Sequence, residues 1–239
     1  MITQSRSVAN RRTRSGWYWD YFEKSVRMST YLVAFLVSDF EARTAQPVPR
    51  PLDALKGEPT AVRVWAQRDR IDQTQHALKV TTPMLEFLET YFQVPFPIPK
   101  MDLVAVPDFS AGAMENWGLI TFRENALLID PKSATNAHNM QVERIIAHEL
   151  AHQWFGNLVT MKWWNDLWLN EGFATYVERL VMENVSPQYQ YGIQQGLRFM
   201  HVLATDALES SHPISVEVND PGEIEELFDE VSYSKGVYY

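Results

Sequence analysis

Cysteine is absent from all 239 residues, so neither a disulfide framework nor a thiolate metal site is open to this chain. Long apolar runs are also missing. The longest, Tyr31 to Val37, falls well short of the roughly 20 residues that a membrane-crossing helix needs, so no span is predicted. The opening residues lack the compact apolar stretch of a signal peptide. Basic charge is scarce: 21 Lys and Arg stand against 30 Asp and Glu, a net charge of −9 that argues against nucleic acid as a partner. Arg6, Arg11, Arg12 and Arg14 are concentrated in an opening stretch without acids, and residues 1–15 read as a solvated, disordered basic tail. No internal repeat or long low-complexity segment is present.

Apolar residues are plentiful. They make up 46% of the chain, with 8 Trp, 12 Phe and 10 Tyr, enough to bury the core of one large domain or one and a half. Tyr31 to Phe40 is rich in β-branched and aromatic residues and reads as a strand, as do Ala61 to Ala66, Met101 to Val106 and Trp117 to Phe122. Prolines and a glycine crowd residues 44–59, the clearest candidate linker. Helical spacing of apolar residues runs from Ile71 to Phe92, with Pro83 predicting a kink or break. Further helices are expected from Asn136 or Asn139 to Gly156, from Asn165 or Asp166 to Asn184, over residues 188–208 and, short and acidic, over 221–230. A small sheet followed by helices is an α+β pattern. The sequon Asn184-Val185-Ser186 is weakened by Pro187 beside it.

The stretch from His148 to Glu171 carries chemistry. In His148-Glu149-Leu150-Ala151-His152 the two histidines lie four apart, which on a helix puts both imidazoles on one face, about 40° apart around the axis. Two such imidazoles can share a metal ion, most often zinc, with a carboxylate as third protein ligand and water in the fourth place. Glu149 points to the side, within reach of that water. Glu171, on the next helix among Leu167, Trp168, Leu169 and Phe173, is the candidate third ligand. The alternative, two histidines merely facing a polar interior, fits poorly with Ile145, Ile146, Leu150 and Trp154 around them, because buried polar groups are costly unless paired or metal-bound. Gly172 weakens a plain helix, but makes sense if two helix backbones must approach closely to reach one metal. Thr175, one turn after Glu171, is a candidate outer partner for a ligand. His76, His138, His201 and His212 are isolated and receive no role; Trp154, Trp163, Trp164 and Trp168 read as core.

These motifs together resemble a known family. The HELAH motif followed by WWNDLWLNEGFATYVE, with GAMENWGLITFRE upstream, closely resembles the zinc aminopeptidases of the aminopeptidase N type, the gluzincins. MSTYLVAFLVSDF, SSHPI and FDEVSYSKG match as well, so the resemblance covers roughly residues 16–236. It implies a thermolysin-like α+β catalytic domain over residues 56–239, cut short at its C-terminal end, preceded by the last strands of an N-terminal β-domain over 16–55. It implies one zinc ion held by His148, His152 and Glu171, with Glu149 as general base. Glu115 of the GAMEN motif would bind the free α-amino group of a peptide, and Gly112, Ala113, Met114 and Asn116 would form the substrate-binding segment. Tyr233 would donate a hydrogen bond to the developing oxyanion. Without the resemblance, Tyr233 would read as a core or surface tyrosine and Glu115 as a loop acid. The implied partners are peptides with a free N-terminus. Relatives act at the extracellular face of the plasma membrane or in the cytoplasm, so location stays open. Two alternatives stand beside the peptidase: a zinc- or peptide-binding fragment with weak or no turnover, and an epoxide hydrolase of the same family. The epoxide-hydrolysing branch carries Gly-Gly where this chain has Gly112-Ala113.

Overall fold

The central β-strand, β7 (Lys100–Val106), is buried along nearly its whole length, as expected for a strand covered on both faces. In the computed structural model, which describes residues 1–46 and 59–238, β7 lies in a mixed five-stranded sheet. With β5 (Glu41–Thr44), β6 (Ala61–Ala66), β8 (Ala113–Met114) and β9 (Leu119–Arg123) the order is β5-β6-β7-β9-β8. β6 runs parallel to β7 and β7 to β9, while β5 and β8 are antiparallel edge strands. The parallel step from β6 to β7 requires a crossover, supplied by α1 (Gln75–Phe92), which buries Ala77, Val80, Met84, Leu85 and Leu88 and packs on β6. Pro83 does not break α1, which runs on unbroken.

The described chain divides into two compact units, Met1–Ile146 and Ala147–Tyr239, with the boundary inside α2 (Asn136–Ala151). The sheet and α1 belong to the first. The second holds α3 (Leu167–Val185), α4 (Tyr191–Asp206) and a C-terminal run of tight turns. There Leu167, Val218 and Leu227 form a buried cluster closed by Met161, Trp164, Val216 and Ile224. The order of elements is α+β, as the sequence predicts.

Several expectations are corrected. Residues 1–15 are not an irregular tail. β1 (Ile2–Thr3) pairs with β4 (Phe35–Leu36), and β2 (Ser7–Arg12) pairs antiparallel with β3 (Tyr18–Phe22). Arg11 and Arg12 sit opposite Trp19 and Tyr18, and Arg11 lies 5.6 Å over the Tyr21 ring, so β-forming aromatic residues and a cation–π contact organise the stretch. Tyr31 to Phe40 is not a strand along its length. It holds a 3-10 turn at Thr30–Leu32 and only the two residues of β4. Its β-propensity finds just the short β1 to pair with, which leaves Phe35 and Val37 exposed while Leu32 is buried. α2 starts at Asn136 as expected, capped by Thr135, whose Oγ1 accepts from the His138 N–H, but it ends at Ala151 instead of Gly156. The acidic 221–230 stretch is a 3-10 helix, Pro221–Leu227, with a capping box between Asp220 and Glu223. Trp154 is core, whereas Trp163 is exposed. The predicted linker falls largely on residues 47–58, outside the described residues.

Candidate metal centre

His148 occupies the last turn of α2 and His152 the first position beyond it. The helical bonding nevertheless continues one step, since the His152 N–H donates to the His148 carbonyl at 3.1 Å, so the two imidazoles keep their common face. Glu171 enters from α3. Its Oε2 lies 3.3 Å from the Nε2 of each histidine, and those two nitrogens are 3.0 Å apart. Two ligand atoms about 2.0–2.1 Å from a zinc ion at the tetrahedral angle are about 3.3–3.4 Å apart, so the spacing suits a single ion.

The outer nitrogens fix the proton positions. His152 Nδ1 faces the Phe155 carbonyl at 2.9 Å, and a carbonyl only accepts, so the proton is on Nδ1. His148 Nδ1 faces Oε2 of the wholly buried Glu178 at 3.1 Å. In the neutral rings, both Nε2 lone pairs therefore point at the Glu171 oxygen. Three converging lone pairs repel unless a cation lies between them, and the side chains are only 12%, 2% and 5% exposed. Without a metal, burial disfavours the His148 imidazolium, but the Glu171 and Glu178 carboxylates outweigh it and raise its pKa to about 9. Burial likewise opposes ionisation of Glu171, but His152 and His148 prevail and hold its carboxyl far below the usual range. The donor set, spacing and tautomers fit a divalent ion that takes nitrogen and oxygen ligands.

A family model described as the peptidase family M1 domain matches residues 76–239. The chain belongs to peptidase family M1. It is 48% identical over 217 residues to endoplasmic reticulum aminopeptidase 2 of Bos taurus and to endoplasmic reticulum aminopeptidase 1 of Homo sapiens, each alignment covering 91% of this chain and 22% of the relative. Aminopeptidase N of Homo sapiens is 48% identical over 226 residues, covering 92% of this chain and 22% of that protein. The chain thus spans about a fifth of the length of these M1 relatives.

In this M1 chain the other sequence-predicted residues divide between the two units. Glu149 is buried on α2 between the two histidines. The Tyr233 ring stacks beside His148, centroids 5.8 Å apart and planes at 26°. Tyr233 lies in a π-helical turn, Val231–Lys235, that is tied down from several sides. Asp229 Oδ1 accepts the Val231 and Ser232 N–H groups at 3.0 Å, Glu230 meets Arg198 at 3.0 Å, and Lys235 meets Asp206 at 2.8 Å. Both ring nitrogens of His212 face acceptors, the Pro213 carbonyl and Asp229 at 2.6 Å. Burial works against its cationic form, but Asp229 and that carbonyl raise its pKa overall.

Gly112, Ala113, Met114, Glu115 and Asn116 belong to the other unit, where Ala113–Met114 is the edge strand β8. Glu115 is buried just after it. Asn116 braces the loop, donating to the Leu32 carbonyl at 3.2 Å and accepting from Thr121 Oγ1 at 3.0 Å.

Two sequence expectations about the metal centre are corrected. Thr175 is buried, but its hydroxyl has no hydrogen-bond partner among the described residues. The outer partner is Glu178, two turns beyond Glu171 rather than one, whose longer side chain reaches His148. No local sequence signal separates it from a solvated helix acid. Gly172 does admit a close backbone approach, but from Gly236, not from α2: a Cβ at Gly172 would stand 3.0 Å from Gly236 main-chain atoms.

Proposed function

We propose that this chain carries the catalytic site of a zinc-dependent aminopeptidase, which releases N-terminal residues from peptides. The observation that carries the reading is the convergence of His148 Nε2, His152 Nε2 and Glu171 Oε2 at 3.0–3.3 Å, with their outer protons already placed. These three side chains would hold one zinc ion. When bound, zinc lowers the pKa of a water and polarises a scissile carbonyl. Glu149 takes the proton of the attacking water and passes it to the leaving amine. Its burial beside the ligands keeps that exchange apart from bulk water. The Tyr233 hydroxyl donates to the oxygen on which charge develops, an interaction stronger in the transition state than in the ground state. The Glu115 carboxylate binds the substrate's ammonium group. Gly112, Ala113 and Met114 offer edge-strand main chain to the peptide, and Asn116 holds that segment in shape. On the same reading, residues 56–239 are the catalytic domain and 16–55 the end of a preceding β-domain. Among the described residues no helix is long and apolar enough to cross a membrane.

The test uses the purified chain, zinc and an aminoacyl fluorogenic amide, alongside Glu149→Gln. Zinc-dependent release that falls about 100-fold or more in the variant, with zinc still bound at one equivalent, is expected. One equivalent of zinc without release by either protein leaves a binding fragment instead. Equal cleavage of an N-acetylated substrate removes the role of Glu115.

A further inference from the structure

We propose that Tyr191 and Gln195, at the start of α4, are positioning residues for the metal ligand His148 and act through Glu178. The inference rests on the metal reading above and extends it to a second helix. Glu178 has no exposed surface, yet it is a carboxylate. A buried carboxylate is tolerated when its oxygens are hydrogen-bonded, and here the two oxygens are used differently. Oε2 takes the His148 Nδ1–H at 3.1 Å. Oε1 accepts the hydroxyl of Tyr191, itself buried on the neighbouring helix. Gln195, one turn further along α4 and also buried, donates its amide Nε2–H to the Tyr191 oxygen.

The direction of this chain follows from donor counting. A phenol has one hydrogen, and with Gln195 donating to its oxygen that hydrogen goes to Glu178. Glu178 is then held as a pure acceptor at a fixed point, and only the Nδ1–H tautomer of His148 matches it. The Nε2 lone pair is thereby aimed at Glu171 and His152. A polar cluster kept only to pack α3 against α4 would not need to end on a metal ligand, and apolar side chains of similar size would fill the same space without desolvating a charge. Tyr191 and Gln195 lie four apart, on one face of α4, and the helix starts directly after Gln190, whose left-handed φ of 49° brings Tyr191 to its first position. Outer partners of metal-bound histidines set ring orientation and basicity; Tyr191 and Gln195 set the outer partner itself.

The test is a double-mutant cycle read as zinc affinity, by competition with a chromophoric chelator at fixed pH, on the 239-residue chain. Glu178→Gln should loosen zinc about 10- to 100-fold and Tyr191→Phe about tenfold, the low end of what outer-partner changes produce. In the Glu178→Gln background, Tyr191→Phe should add little, because it acts through the acid already altered. A Tyr191→Phe protein that melts earlier but binds zinc like the parent overturns the proposal, since that is a packing role alone. A tyrosine effect that persists undiminished in the Glu178→Gln background overturns it too. If Tyr191→Phe does not fold, Gln195→Met keeps the hydroxyl and removes only its donor; a loss of several-fold supports the proposal, and unchanged affinity overturns it. Failure of the unmodified chain to bind zinc at all sinks the metal reading and this inference together, and is distinct from every pattern among the variants.

Discussion

His148 is asked to be two things. As the proposed zinc ligand it must be neutral, and between Glu171 and Glu178 the metal-free ring stays protonated up to about pH 9. Zinc binding below that pH therefore displaces a proton, and apparent affinity should climb by as much as tenfold per pH unit toward pH 9. The metal-free protein follows the opposite sign. Its folded pKa of about 9 lies above the ordinary 6.5, so the stability from this ring is complete below 6.5 and is lost as pH rises through 9. Melting curves with zinc and with a chelator, at several pH values from 6 to 9, should show the zinc-induced gain widening as pH rises; a constant gap would remove the linkage. The HELAH pair and Glu171 were legible because a four-residue spacing on a helix is a geometric statement in itself. Glu178 was not, since an acid two turns along a helix looks like any solvated acid until the fold shows what faces it. Thr175 had the better spacing and the shorter side chain, and reach decided between them.

Among the elements, the π-helical turn Val231–Lys235 brings Tyr233 against His148, and α3 meets the segment just after it where Gly172 faces Gly236. Gly172→Ala would gain about 1 kcal/mol of helix propensity. It would also set a methyl 3.0 Å from main chain that has no rotamer to escape into, and overpacking of this kind typically costs about 1–3 kcal/mol. A net loss of up to about 2 kcal/mol by urea unfolding is expected, and on the role proposed for Tyr233, which the displaced turn carries, turnover should fall further than zinc affinity. The existence of α1 was readable from apolar periodicity, and that of α3 from its start and stop signals. The strand expected over Tyr31 to Phe40 failed because pairing is a property of two segments, and only Ile2–Thr3 answers it. The tight C-terminal turns follow caps and ion pairs between distant residues, such as Arg198 with Glu230, which no local window contains.

Taken whole, the described chain is two compact units with different kinds of anchor. The cluster of His148, His152 and Glu171 belongs to one. The other is pinned by Asp102, wholly buried at the centre of the sheet, which accepts from Arg63 Nε and Nη2 at 2.6 and 2.8 Å, the Trp65 indole at 2.9 Å and Lys100 at 2.8 Å. Burial lowers the Lys100 pKa, and Asp102 is what restrains that fall. Asp102→Ala would leave a buried lysine without its counter-charge, a change that costs about 3–5 kcal/mol, and the urea midpoint should drop accordingly; an unchanged midpoint would mean the cluster is idle. The paired glycines also limit how this sequence can vary over generations. A side chain at 172 would strike the main chain of residue 236, and one at 236 would meet the Gly172 Cα at 3.2 Å. No replacement at one position can make room for a replacement at the other. The two are separate requirements rather than a compensating pair, so a substitution at either carries its own packing cost.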